Sequence, residues 1–167
     1  MYTMKPVIAR TLLVVGTAAV LGLAVSAQTR PSAPALKWHT DFEAAKKESA
    51  RTGRPILADF TGSDWCGWCI RLKKEVFNTP QFRTWASRRV VLLEVDFPQD
   101  KPQSAAIKKQ NAELAKRYQI QGYPTILFLT RKGEVMGRYG YDEGGPQRWT
   151  AMADRMIQRA IKDGIKP

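Results

Sequence analysis

Cysteine and histidine are scarce in this chain, with two cysteines and a single histidine among 167 residues. A structural zinc site takes four ligands. Beyond the two thiols only His39 remains, so the composition speaks against a structural zinc site and no metal is expected. Also missing are any internal repeat, any low-complexity tract and any basic run longer than a pair. The last absence matters because lysine and arginine outnumber aspartate and glutamate by 27 to 15, a formal charge of +12. Such an excess can serve nucleic acid or an anionic surface. With the cations dispersed and no aromatic–basic repeat, it reads as a solvated surface, and no nucleic-acid partner is expected.

Long hydrophobic stretches are also absent, apart from Leu12–Val25. That run is about as long as a signal-peptide core and short for a full membrane span. Lys5 and Arg10 precede it without an acidic residue, and Val25-Ser26-Ala27 follows with small residues suited to cleavage. Residues 1–27 therefore read as an export signal cut after Ala27; left uncut, the same segment is a residual N-terminal membrane anchor. No cysteine stands near position 28, which excludes lipid attachment there. The protein is expected outside the cytoplasm, in a periplasmic or other extracytoplasmic space. Residues 28–37, with Pro31 and Pro34, read as a linker. Residues 38–167 are long enough for one domain with a real core.

Within that domain Thr40-Asp41-Phe42-Glu43 fits a capping box with Thr40 as N-cap, opening a helix to about Thr52 that Gly53 ends. Ile56–Thr61 is apolar except for Asp59, as expected of a strand buried on both faces. A helix from the cysteines to about Val76 follows, then a short helix near Pro80 and a second buried strand at Val90–Val95. Phe97–Gln103 is a loop with Pro98 and Pro102, and Ser104–Tyr118 is a helix with Ile107, Leu114, Ala115 and Tyr118 on one side. Ile126–Leu129 and Val135–Tyr139 form a hairpin around Arg131-Lys132-Gly133-Glu134. Pro146 suits the first turn of a last helix, whose Trp149, Met152, Ala153, Met156, Ile157, Ala160 and Ile161 recur at helical spacing.

The two cysteines stand in Cys66-Gly67-Trp68-Cys69, where a strand hands over to a helix. Backbone N–H groups at a helix N-terminus stabilise a nearby thiolate, which is the form that attacks disulfides. A bridge closing so short a loop constrains the unfolded chain little, so a purely structural staple gains little there. Asp59 is the other singular residue. A carboxylate in an apolar strand is costly unless hydrogen-bonded or put to use, so it is either buried for a chemical purpose or turned to solvent at the strand end.

The order of elements, with Trp65-Cys66-Gly67-Trp68-Cys69 and Gly122-Tyr123-Pro124-Thr125, resembles the thioredoxin superfamily. The stretch Asp59-Phe60-Thr61-Gly62-Ser63-Asp64-Trp65-Cys66 is most similar to exported bacterial thioredoxin-like proteins of the thiol–disulfide interchange type. The resemblance runs from about Trp38 to Lys162. It implies an α/β, thioredoxin-like fold, with a central mixed four-stranded sheet and helices on both faces. It implies a monomeric protein-disulfide oxidoreductase without a cofactor, cycling between dithiol and disulfide, with the reductase direction favoured and a membrane thiol donor as redox partner. Protein thiols and disulfides are the implied substrates.

The same resemblance implies that Cys66 attacks, that Cys69 resolves the mixed disulfide, and that Asp59 accepts the Cys69 proton. Pro124 is implied to be a cis-proline that exposes the Tyr123 backbone to a substrate strand; the lesser alternative is an ordinary turn proline before a strand. Trp65, Gly67, Trp68, Tyr123, Pro124 and Thr125 are the implied substrate contacts, although Trp65 also suits a packed role. His39 is expected to be an ordinary polar residue. Three departures from thioredoxin stand out. Trp68 takes the place of the common proline between the cysteines. The span from Asp59 to Cys66 carries an extra residue, and Leu92-Leu93-Glu94 stands where the lysine beside the buried acid is expected. A rival expectation is a binding or chaperone-like module whose disulfide stays closed.

Overall fold

The structure, a computed structural model, describes residues 35–167; the leader expected at 1–27 and linker residues 28–34 lie outside the described residues. Within the remaining stretch of linker, Leu36 packs against the core. The sequence then forms a two-residue strand, β1 (Trp38–His39), and a helix, α1 (Phe42–Thr52). The helix is capped by Asp41, whose side chain accepts a 2.6 Å hydrogen bond from the Ala44 N–H. Thr40 was the expected cap, and the start falls one residue later because Asp41 holds the extended backbone an N-cap needs and its side chain reaches the Ala44 N–H. Gly53 closes α1 at φ 69°, a left-handed conformation that a side chain would strain.

Strand β2 (Ile56–Thr61) is buried at all six positions. It leads into α2 (Gly67–Leu72), which runs on through a π-helical turn at Lys73–Phe77, and then into α3 (Pro80–Arg89), capped by Thr79. Strand β3 (Val91–Asp96) and helix α4 (Ala105–Arg117), capped by Ser104, follow. The hairpin β4 (Thr125–Leu129) and β5 (Val135–Tyr139) leads to the last helix, α5 (Gly145–Lys162). Among the described residues no helix is long and apolar enough to cross a membrane.

The five strands form one sheet in the order β1-β3-β2-β4-β5. β1 and β2 run parallel to β3, while β4 is antiparallel to β2 and to β5. The fold is the thioredoxin-like one expected, with one strand more. Trp38 and His39, opposite Leu92 and Leu93, were too short a run to read as a strand from their pattern. β2 sits in the middle of the sheet with helices over both faces, which explains its lack of polar alternation. Side chains still alternate between faces. Ile56, Ala58 and Phe60 pack with Leu93, Leu127, Phe42 and Leu114 on the α1/α4 side. Leu57 packs with Leu92, Phe128, Phe82 and Trp149 on the α2/α3/α5 side. By the same alternation Asp59 faces the second side, towards the helix that carries Cys69.

Candidate active site

Cys66 and Cys69 are joined in a disulfide, with Cα atoms 5.2 Å apart. Cys66 is the N-cap of α2, and its sulfur lies 3.2 Å from the Cys69 N–H. The turn leading to it is closed by a 2.9 Å hydrogen bond from the Cys66 N–H to the Gly62 carbonyl. Gly62 leaves room for the Trp65 indole, which a Cβ there would displace. Both cysteines are mostly covered, Cys66 at 7% exposure and Cys69 at 4%. The residues around them are not: Trp65 is 42% exposed, Trp68 54%, and Gly67 is open, with nothing within 4 Å of where a Cβ would stand. The disulfide is therefore largely covered, while the indoles of its chain neighbours Trp65 and Trp68 are exposed.

Each tryptophan is held in its own way. Trp65 donates its indole N–H to the Phe97 carbonyl at 2.8 Å and meets the Tyr123 ring edge-on at 5.8 Å, so it is both packed and presented. Trp68 lies 5.2 Å from the Tyr141 ring, with the Arg71 guanidinium near both rings at 5.5 and 5.3 Å. Glu75 accepts hydrogen bonds from the Arg71 Nε and the Tyr141 hydroxyl, both at 2.7 Å. The Tyr123–Pro124 peptide bond is cis. Tyr123 is half-buried, which raises its phenol pKa. Its ring also lies 5.2 Å from that of Phe97. The Thr125 hydroxyl donates to the Gly122 carbonyl at 2.7 Å, so it secures its own turn. His39 lies two strands away from β2, on the sheet edge, where burial and Lys37 lower its pKa.

Asp59 is 6% exposed and one of its carboxylate oxygens has no hydrogen-bond partner. Burial pushes its pKa up to about 8, reinforced by Glu94 and Asp96 and opposed by Lys73. The sequence flagged Asp59 but not the groups that set its charge. Glu94 is the residue directly opposite Asp59 across the parallel β2–β3 pair. Lys73, one turn after Cys69, reaches Glu94 at 3.2 Å. A lysine does therefore attend the buried acid, although the β3 sequence showed none, because it comes from the helix. The detectable signal was Glu94 itself, a carboxylate set among Val91, Leu92, Leu93 and Val95 of β3.

Comparison with known proteins agrees with this geometry. The profile of a thioredoxin-like domain matches residues 42–156. The chain is 37% identical over 119 residues to the disulfide bond reductase DsbH of Chlamydia pneumoniae, covering 71% of each. It is 31% identical over 115 residues to the thioredoxin-related protein DsbJ of the same organism, spanning 69% of this chain but 33% of DsbJ. A solved DsbH oxidoreductase structure superposes with a TM-score of 0.74 at 32% identity, covering 78% of this chain and 91% of that one. A thioredoxin from Thermus thermophilus shares the fold with a TM-score of 0.54 at 22% identity, over 78% of this chain and 92% of its own. The chain belongs to the thioredoxin-like family, as one of its thiol–disulfide oxidoreductases.

Proposed function

We propose that this protein reduces disulfides in other proteins outside the cytoplasm, as a monomer, with Cys66 and Cys69 as its reacting pair. The supporting observation is the Cys66–Cys69 disulfide at a helix N-cap, with exposed indoles on its chain neighbours Trp65 and Trp68. The reductase name of the Chlamydia pneumoniae relative favours that direction. In the dithiol form, the Cys66 thiolate attacks one sulfur of a substrate disulfide, and the other substrate sulfur leaves as a thiolate that takes a proton from water. Cys69 then passes its proton to the Asp59 carboxylate and attacks the Cys66 sulfur. The second substrate thiolate leaves, the Cys66–Cys69 disulfide closes, and two electrons have moved to the substrate. Burial raises the Asp59 pKa to about 8, so at neutral pH only a minority of molecules carry the carboxylate, and that ionised form is the base that accepts the Cys69 proton and later releases it to water.

Trp65, Trp68 and Tyr123 offer apolar faces for the polypeptide around the substrate disulfide, Gly67 leaves room above the sulfurs, and the backbone beside Pro124 offers hydrogen bonds to an extended strand. Thr125 supports that turn. A second dithiol must reopen the Cys66–Cys69 bond, and a membrane thiol donor on the extracytoplasmic side fits that need. Insulin reduction with dithiothreitol tests the reading. Cys66→Ser is expected to lose all activity above the uncatalysed rate, and undiminished activity removes the mechanism.

The near-complete cover of both cysteines favours one rival, a binding module whose disulfide stays shut. Titration against glutathione separates the two. An intermediate potential supports the enzyme, and a bond that never opens supports the module.

A further inference from the structure

The turn before Cys66 is fastened to the loop after β3 more firmly than its own shape requires. That loop is bracketed by Pro98 and Pro102, neither of which has an N–H. All three N–H groups between them, from Gln99, Asp100 and Lys101, donate to the Asp64 carboxylate at 3.0, 2.9 and 3.1 Å. Partial loss of solvent works against the Asp64 charge, but these hydrogen bonds outweigh it and hold its pKa below the usual carboxylate range. Ser63 adds to the fastening. Its N–H and hydroxyl donate to the two Asp96 oxygens at 2.9 and 2.6 Å, and the Lys101 ammonium donates to its Oγ at 3.0 Å.

Gln99, Asp100 and Lys101 are exposed and lie in no regular element, so the loop has little burial of its own to hold it. Yet it carries Phe97, whose carbonyl holds the Trp65 indole and whose ring backs Tyr123. We propose that Asp64 is a positioning residue: by gathering the three N–H groups it mounts the Phe97–Lys101 loop beside the disulfide as one wall of the cleft that receives a protein substrate. Asp64 thereby governs how well the polypeptide around a disulfide is held, more than how fast sulfur exchanges. The inference rests on the disulfide-reductase reading above.

Asp64→Asn tests it, because the substitution keeps the size but removes the charge and replaces one of the two oxygens that accept from the three N–H groups with an NH2 donor. KM for insulin is expected to rise about tenfold with kcat within about twofold, and the ratio of kcat/KM on insulin to that on a small aromatic disulfide falls by a similar factor. Hydrogen exchange at Gln99, Asp100 and Lys101 is expected to quicken in the same variant. If these amides exchange faster while KM stays put, or if insulin and the small disulfide lose equally, the proposal is overturned. Should Asp64→Asn fail to fold, Ser63→Ala loosens the same loop and keeps the carboxylate. It is expected to raise KM about two- to threefold, and a folded Ser63→Ala with unchanged KM likewise overturns the proposal. A wild-type protein that reduces neither substrate refutes the reductase reading instead.

Discussion

Two aspartates precede the disulfide in the chain, and their surroundings give them opposite character. Asp59, on the central strand behind the sulfurs, is buried with an unpartnered oxygen and a pKa near 8. Asp64, in the turn ahead of Cys66, accepts three backbone hydrogen bonds and has its pKa lowered. The first is stored in a form ready to exchange a proton; the second is a fixed charge that holds backbone in place. A carboxylate at this site is thus assigned by its partners: withholding hydrogen bonds makes an acid–base group, and supplying them makes a fastener.

Removing the ionisable member of the pair tests the contrast most severely. Asp59→Asn keeps the volume but cannot take up the Cys69 proton. The step that closes the protein disulfide is expected to slow by about a hundredfold, the usual scale of a lost acid–base group, with substrate trapped as a mixed disulfide on Cys66. Stability should move the other way. Below the unfolded pKa of about 4, both folded and unfolded chains keep the Asp59 proton and the residue costs nothing on this account. As pH rises towards 8, the unfolded carboxyl ionises while the folded one does not, so wild-type stability falls, and the loss is complete above the folded value. Asp59→Asn should therefore be increasingly more stable than wild type between about pH 4 and 8, by roughly a few kcal/mol at the upper end. Thermal melts of the disulfide form across that range check it, and a constant difference would falsify the assigned titration.

A milder set of changes sharpens the same contrast by altering the neighbours of Asp59 rather than the residue. Glu94 raises its pKa and Lys73 opposes the rise, while Asp96 adds a smaller push upwards. Glu94→Gln should lower the Asp59 pKa and Lys73→Gln should raise it, each by up to about one pH unit. The double variant should fall between them. Carbon-detected titration of the Asp59 carboxyl reads these shifts directly. Movement in the same direction for both single variants contradicts the arrangement. Lys73 is half exposed, so its effect should shrink in high salt.

The sequence made the two aspartates unequally legible. Asp59 was conspicuous because it breaks an apolar strand, although which face of the sheet it takes came only with the packing of the helices. The boundaries of β2 and β5 were readable for the same reason: local pattern and turn residues determine them. Asp64 carried no such signal, since an acid in a polar turn is ordinary and its meaning comes from three N–H groups more than thirty positions away in sequence. Lys73 was hidden similarly, because its partner lies across the sheet. Strand β1 was missed because two residues cannot display a period. Tertiary pairing, invisible to local pattern, made each of these.

The smallest expected effect concerns the wall opposite Asp64. There Trp68 leans on Tyr141, and the Tyr141 hydroxyl donates to Glu75, which also holds Arg71. This wall is built from side chains alone, Trp68, Arg71 and Glu75 from the helix after Cys66 and Tyr141 from the loop after β5, with no backbone N–H gathered by a carboxylate. Tyr141→Phe deletes the hydroxyl and keeps the ring beside Trp68, so KM for insulin should change by less than about twofold. Tyr141→Ala removes the ring and should raise KM about two- to threefold, the scale of a single aromatic contact. Both changes should remain smaller than that of Asp64→Asn in the same assay. The ordering follows from construction: a wall hung on one carboxylate fails as a unit, whereas a wall of overlapping surface contacts gives way a contact at a time. If Tyr141→Phe instead matched Asp64→Asn, substrate would be held chiefly on the Trp68 side, and the loop beside Trp65 would be only a support for the turn.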